Sequence, residues 1–150
     1  MKTGGALLAV MVLIPATLAW SHCQVPCGIY HDDLRLEMMG EHIQTIEKAM
    51  QQITALNEAA SPDFNQIVRW VNSKDEHADE LIHIVTWYFM NQRVKPVASD
   101  SPDYDAYVAK LTLLHEMMVT SMKAKQSTDI QYVERLRELL KEFTTAYTGG

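Results

Sequence analysis

Apolar residues recur every three or four positions along most of this sequence, and that spacing limits which folds the chain can form. Such a period places the apolar side chains on one face of a helix, whereas a half-buried strand would need alternation at every second position. In the first segment, which Asp32 or Asp33 can cap, the apolar positions are Leu36, Met39, Ile43, Ile46, Met50 and Ile53. Their alternating steps of three and four predict a helix that packs at a shallow angle in a bundle.

Three further segments show the same period, and turn signals separate them. Ser-Pro-Asp occurs at 61–63 and again at 101–103, which is typical of a helix start with serine as the cap. We expect the second helix to run from about Phe64 to Met90, the third to follow the second Ser-Pro-Asp, and Asp129 to cap the fourth. The predicted inward residues are Phe64, Ile67, Val71, Ala78, Leu81, Val85 and Tyr88 or Phe89, then Tyr104, Tyr107 or Val108, Leu111, Leu114, Met118 and Met122, then Ile130, Val133, Leu136, Leu140 and Phe143.

Four amphipathic helices with short connections and no strand signal predict an all-α fold. The expected architecture is an up-and-down four-helix bundle over residues 31–150. The composition suits one folded domain, because 47% of the residues are hydrophobic, 21% are charged and no tract is of low complexity.

The first 21 residues predict a cleavable signal peptide. They carry one positive charge at Lys2, an apolar run over 6–14, and small residues at Ala19 and Ser21, three and one positions before the expected cut. The apolar run is too short for a comfortable transmembrane helix, although a retained anchor is the alternative. Cleavage would leave a chain of 129 residues that starts at His22.

The net charge of the mature chain restricts the classes of molecule that we expect it to bind. The whole sequence has a net charge of -6, and loss of Lys2 with the leader gives -7. Because no basic stripe is present, we expect no nucleic-acid partner. An anionic substrate would have to be attracted by local lysines and arginines.

The nine residues 22–30, called the hook here, hold both cysteines in the order His-Cys-Gln-Val-Pro-Cys-Gly-Ile-Tyr. If His22 is the first residue, its free amine, the amide nitrogen of Cys23 and the Cys23 thiolate can bind one metal through two fused chelate rings. A turn at Pro26 and Gly28 can bring the Cys27 sulfur to the fourth corner of a plane, and the His22 imidazole can reach an axial position. Planar nitrogen and sulfur ligands favour nickel(II) or copper(II) over tetrahedral zinc.

The order His-Cys-x-x-Pro-Cys-Gly-x-Tyr in the hook resembles the nickel-binding segment of the nickel-containing superoxide dismutases, which stands at their mature amino terminus. The resemblance implies an enzyme that disproportionates superoxide to oxygen and hydrogen peroxide by Ni(III)/Ni(II) cycling, and so an antioxidant function. It implies one nickel ion per subunit, with His22, Cys23 and Cys27 as ligands, and homohexamers of four-helix bundles.

Two further residues receive roles from the resemblance. Tyr30 matches a tyrosine that lines the substrate approach and orders water near nickel, so we expect it to be catalytic. Glu37, in Arg-Leu-Glu at 35–37, resembles a glutamate that helps hold the axial imidazole by a hydrogen bond. The alternatives are a tyrosine that packs the hook on the bundle and a solvated helix carboxylate.

The sequence departs from the family pattern at two positions. His77 stands where the family places an arginine against the axial imidazole, so the arginine's role does not transfer. Gln24 stands where some relatives have aspartate, so no carboxylate function is assigned there.

Other functions remain open from the residues alone. A Cys23-Cys27 disulfide would make the chain an exported helical bundle without enzymatic activity. The Glu-x-x-His at Glu80 and His83 is half of a di-iron motif, but the mature sequence has no second copy. His31, His42 and His115 are expected to be isolated surface or packing histidines, and a metal-carrying bundle without turnover would use the same ligands as the enzyme.

The leader also predicts where the chain is processed and where it goes. We expect an exported protein, periplasmic, lumenal or secreted, with no membrane association after cleavage before His22. A maturation protease is therefore an expected partner, beside superoxide as substrate.

Overall fold

Four helices account for most of the computed structural model, which describes residues 32–149. They are α1 (Asp32–Asn57), α2 (Phe64–His83), α3 (Tyr104–Lys125) and α4 (Gln131–Thr148). The α2 helix continues without a break into a π-helical segment, Ile84–Arg93, in which carbonyls accept hydrogen bonds from residues five positions later. No strand occurs between residues 32 and 149, so the predicted all-α fold is confirmed.

Each helix packs against the next in the chain, and α4 returns to pack against α1. Cross-helix contacts give the directions: the start of α1 meets the ends of the π-helical segment and of α4, through Asp32 with Tyr88 and Tyr147. Neighbouring helices are therefore antiparallel, as in the predicted up-and-down four-helix bundle. No helix among the described residues is both long and apolar enough to cross a membrane.

The core contains one apolar stripe from each helix. The fully buried residues of this core with the largest side chains are Phe89, Phe143, Met39, Ile43, Ile46, Met50, Leu81, Leu114, Met117, Leu136, Leu139 and Val85. The α1 stripe agrees with the prediction, except that Ile53 is only partly buried. Close packing of such residues is the main favourable contribution to folding.

Two residues predicted to face inward are exposed. Met122 is 47% exposed because the predicted α3 stripe steps by four from Leu114, and two such steps rotate the position by about 80° away from the core. The buried face instead uses Met117 and Ala124. Phe64 is 71% exposed because it begins α2 at the end of the bundle, ten residues before the first buried residue of that helix.

The helix starts also differ from the prediction. Asp63, not Ser61, caps α2, because its carboxylate accepts a hydrogen bond of 3.1 Å from the Gln66 N–H. Before α3 the Ser101 hydroxyl accepts one of 3.2 Å from the Asp103 N–H. The N-cap of α4 is Ile130 rather than the predicted Asp129, although the Asp129 carboxylate accepts a hydrogen bond of 3.0 Å from the Gln131 N–H.

An aromatic cluster closes the end of the core where α1 begins. The ring of Phe89 meets Phe143 edge-on at 4.9 Å and Tyr147 at 5.3 Å, and Phe143 stacks on Tyr147 at 5.5 Å between centroids. These contacts join the π-helical segment to α4. They also direct the Tyr147 hydroxyl towards the start of α1, where it donates a hydrogen bond to Asp32.

Replacing Phe143 by alanine should lower the free energy of unfolding by about 3–5 kcal/mol, because the change removes a fully buried ring and leaves a cavity. Urea unfolding followed by circular dichroism measures this loss. Phe64→Ala is the matched control, since that ring is 71% exposed, and it should change the free energy by no more than about 0.5 kcal/mol. Equal losses in the two variants would contradict the core described here.

Candidate metal centre

The predicted ligands His22, Cys23 and Cys27, together with Tyr30, lie outside the described residues. The structure does describe the point at which the hook joins the bundle, because α1 begins at Asp32, two positions after Tyr30. The surroundings of Asp32 therefore determine where the chain leaves the bundle on its way to the predicted ligands.

The Asp32 carboxylate is held by groups from two other parts of the bundle. Its Oδ1 accepts hydrogen bonds from the Tyr88 hydroxyl and from Arg93 Nε at 2.9 Å, and its Oδ2 accepts one from the Tyr147 hydroxyl at 2.6 Å. Arg93 Nη2 also donates to the Tyr88 hydroxyl at 3.0 Å. We call Asp32, Tyr88, Arg93 and Tyr147 the Asp32 cluster.

Electrostatics fix the charges within the Asp32 cluster. Burial alone would raise the pKa of Asp32, but hydrogen bonds from Tyr147 and Tyr88 and the charge of Arg93 outweigh it and lower that pKa. Burial, together with the hydrogen bond to Asp32, raises the pKa of Tyr147 and of Tyr88. The pKa of Asp32 is shifted further below pH 7, and the pKa values of Tyr88 and Tyr147 are shifted further above it. Asp32 is therefore anionic and both phenols are protonated at physiological pH.

The π-helical segment is what brings Tyr88 and Arg93 together. Residues five positions apart lie about 140° apart around an α-helix but only about 50° apart around a π-helix, which has about 4.4 residues per turn. The i to i+5 pattern is explicit at the end of the segment, where the Val94 N–H donates to the Phe89 carbonyl at 2.8 Å. The guanidinium of Arg93 accordingly lies 5.0 Å from the centroid of the Tyr88 ring.

Arg35 approaches the same ring from α1. Its guanidinium lies 5.3 Å from the Tyr88 ring centroid, and its Nη1 donates to the Met38 sulfur at 3.4 Å. Its Nε is buried and has no hydrogen-bond partner among residues 32–149. Arg35 is thus a second cation beside the Asp32 cluster, and its Nε–H has no acceptor among residues 32–149.

Glu37 is exposed on α1 and makes no hydrogen bond or ion pair with another described residue. The carboxylate is therefore open to a partner beyond the described range. Its expected contact with the His22 imidazole stays a prediction.

His42 is not isolated, contrary to the sequence-based expectation. Its Nδ1 lies 2.8 Å from the Nδ1 of His77 across the α1–α2 interface, so one ring donates a hydrogen bond to the other. The His42 Nε2 is buried without a hydrogen-bond partner in the described part of the chain. Because His42 is partly buried and lies beside another imidazole, its protonation is disfavoured.

His77, which the resemblance to the family would expect to be an arginine, therefore has a partner of its own in His42. His42 is five residues after Glu37, which corresponds to about 7.5 Å along the helix axis. His77 consequently lies level with His42 rather than with Glu37, and no role in holding the His22 imidazole is carried over to it.

The di-iron alternative finds no support in the bundle. Glu80 and His83 are both exposed, and His83 packs beside Trp87 with ring centroids 5.8 Å apart. Within residues 32–149 no group of three or more His, Cys, Asp or Glu side chains could hold a metal ion. A carboxylate-bridged site would need inward-facing glutamates on several helices.

A cavity of about 300 Å³ adjoins the Asp32 cluster. Arg93 and Tyr147 line it together with Lys95, Lys110 and Asp103. Arg93 is paired with Asp32, which leaves Lys95 and Lys110 as the other lining cations beside Asp103, and neither lysine forms an ion pair with a described residue. These two lysines supply a local positive charge, although the whole chain is negatively charged.

Sequence reasoning missed the Asp32 cluster. It treated Asp32 only as a possible helix cap, and it did not assign Arg93 or Tyr147 to any site. The usable signal was a pair of polar groups five positions apart at the end of a helix, which has meaning only if the helix is π-helical there.

Comparison with known proteins gives one match. A family model described as nickel-containing superoxide dismutase matches residues 17–149, which include the hook and both cysteines. No curated protein and no solved structure matches the chain.

The His42–His77 pair predicts a pH dependence of stability. Burial, and then the charge of His77, lower the pKa of His42, while Glu41 and Glu80 act more weakly in the opposite direction. The unfolded chain therefore binds a proton more readily, and the stability linked to His42 is complete above about pH 6.5 and is lost as the pH falls towards the lower folded-state pKa.

We expect His42→Gln to flatten the fall in unfolding free energy between pH 7 and pH 5, by at most about 1.4 kcal/mol per pH unit for one proton. Urea unfolding at a series of pH values measures the slope. His115→Gln is the control, because that ring is exposed on α3, and it should keep the wild-type slope. A His42→Gln profile that matches the wild type would contradict the pairing.

Proposed function

This chain belongs to the family of nickel-containing superoxide dismutases, and from that membership we propose that its processed amino terminus holds the nickel ion used to disproportionate superoxide. The enzyme is thus an oxidoreductase of the nickel superoxide dismutase type. The observation that carries the proposal is the extent of the family match, residues 17–149, which includes the whole hook. The chemistry of the donor groups in the hook supports it independently.

The proposed ligands are the amine and imidazole of His22, the amide nitrogen and sulfur of Cys23, and the sulfur of Cys27. Two thiolates and a deprotonated amide are strong electron donors, and such a donor set would suit a nickel ion. When bound, nickel supplies one-electron chemistry between Ni(III) and Ni(II), through which superoxide becomes oxygen and hydrogen peroxide. Each ligand must lose its proton to bind, so loading should release protons and weaken at low pH.

Processing is a requirement of this site. A peptide bond at His22 would convert its amine into an amide and remove one ligand. The signal-peptide features of residues 1–21 support cleavage between Ser21 and His22 and export of the mature chain, periplasmic, lumenal or secreted. We therefore propose a maturation protease as a partner in assembly of the enzyme.

The remaining residues supply binding, proton and positioning functions. Tyr30 is proposed to line the approach of superoxide and to order the water from which protons come. Glu37 is proposed to hold the His22 imidazole, and its carboxylate, which is exposed and has no partner within residues 32–149, is compatible with that function. The cations around the cavity beside Arg93 give an anionic substrate a local attraction that the net charge does not.

Family resemblance supports two further features. We propose one nickel ion per subunit, since the hook has a single set of donors, and assembly of the bundles into homohexamers. The proposed biological function is antioxidant defence in the compartment to which the leader directs the chain.

Addition of one alanine before His22 should abolish superoxide dismutation, because it converts the amine ligand into a peptide nitrogen. Both proteins are made as fusions whose cleavable tag leaves either His22 or the added alanine as the first residue, so that natural processing plays no part. Pulse radiolysis measures the rate constant with superoxide, and circular dichroism checks that helix content is unchanged.

A matched control places the added alanine after Gly150 instead, where it should leave the rate constant unchanged. Retained activity in the variant extended before His22 would contradict the proposed ligand set. A Cys23-Cys27 disulfide rival is distinguished on the same samples by intact mass, because a disulfide removes two hydrogens and leaves no bound nickel.

A further inference from the structure

We propose that the Asp32 cluster is a positioning device for the hook: Tyr147 and Arg93 act through Asp32 to fix where the metal-binding residues leave the bundle. The inference rests on the proposed function. It assigns a positioning function to Arg93 and Tyr147, which lie far from the hook in the sequence. Neither Tyr147 nor Arg93 is assigned to contact the metal or the substrate.

Asp32 makes contacts that are unusual for an aspartate at the start of a helix. An aspartate in the first turn of a helix is ordinarily satisfied by its own backbone N–H groups or by water. Asp32 instead uses both carboxylate oxygens on side chains from the π-helical segment and from α4. Three chain segments are thus tied together at the first residue of α1.

The cluster depends on a rare backbone conformation, the π-helical segment Ile84–Arg93. π-helical turns are rare in proteins. Where they do occur, they are frequently found at functional sites. Here the segment extends over ten residues. It rotates Arg93 onto the same face as Tyr88, so that Arg93 reaches both the Tyr88 hydroxyl and Asp32.

The connection between the hook and the bundle is short. Asp32 follows Cys27 by five positions, which span no more than about 18 Å even when fully extended. A connection this short limits how far the Cys27 sulfur can lie from Asp32, so we expect a displacement of Asp32 to displace that sulfur. Misplacement of reacting groups by about 1 Å can lower a rate about 100-fold.

The hydroxyl of Tyr147 gives the cleanest test, because Tyr147→Phe removes one hydrogen bond to Asp32 and keeps the ring. The ring still packs against Phe89 and Phe143, so the core should remain intact. Tyr132→Phe is the matched control, since Tyr132 lies on the same helix, is partly buried and has no side-chain hydrogen bond among the described residues. Asp32→Asn is a second variant, expected to act in the same direction and more strongly.

Two readouts are needed, and one of them requires no metal. In the processed, nickel-free protein, hydrogen exchange of the backbone amides over residues 35–38, the first of α1 to donate to helix carbonyls, should become about five- to tenfold faster in Tyr147→Phe than in the wild type. In the nickel-loaded protein, the electron paramagnetic resonance signal of the oxidised form should broaden, and kcat/KM should fall about tenfold at unchanged nickel content. Tyr132→Phe should match the wild type in all of these measurements.

The outcomes separate the cluster from the proposed function. Exchange and resonance spectra that match the wild type in both Tyr147→Phe and Asp32→Asn would overturn the proposal. Faster exchange with an unchanged spectrum and rate would also overturn it, because the cluster would then stabilise the helix start without positioning the metal. A wild-type protein that binds no nickel would refute the proposed function instead, and the exchange measurement would still report on the cluster.

Discussion

The contact between Phe89, Phe143 and Tyr147 supports the end of the bundle at which the chemistry is proposed to occur. These rings bury the junction of the π-helical segment and α4, with centroid distances of 4.9–5.5 Å. Because the Tyr147 ring is fixed by this packing, its hydroxyl has a defined position from which to bind Asp32. Hydrophobic packing thus supports the geometry of a polar cluster, and the cluster holds the carboxylate of Asp32, the first residue of α1.

The bundle and the hook have different functions: the bundle is the scaffold, and the hook is proposed to bind the metal. The described residues hold the scaffold, a cluster of fixed charges and a cation-lined cavity, and they contain no group able to hold a metal ion. The predicted metal chemistry lies in residues 22–30, where the amine, amide and thiolate donors follow one another in the chain. A metal carrier with the same donors would differ from the enzyme in turnover alone, which is why family membership matters for assigning the activity.

Periodicity was sufficient to predict the four helices and most of the core, since burial of one apolar stripe per helix has a local signature. The stripe through Leu36, Met39 and Ile43 was predicted from spacing alone and is buried. Met122 was misplaced because steps of four drift around a helix, and Phe64 because the sequence does not show where the bundle ends.

The Asp32 cluster could not be predicted for a different reason. Tyr147 lies 115 positions from Asp32, and Arg93 reaches Tyr88 because both residues lie in the π-helical segment Ile84–Arg93. The His42–His77 contact has the same character, since it depends on the relative register of α1 and α2. The hook presented the opposite case, because its donors are adjacent in the chain and their chemistry can be interpreted without a fold.

The most direct test of the central claim is amino-terminal sequencing of the mature protein together with metal analysis of the same sample. The account predicts a chain that begins at His22 and contains about one nickel ion per subunit, as a single set of donors requires. A chain that begins at any other residue, or one in which Cys23 and Cys27 are joined to each other while nickel is in excess, would contradict it.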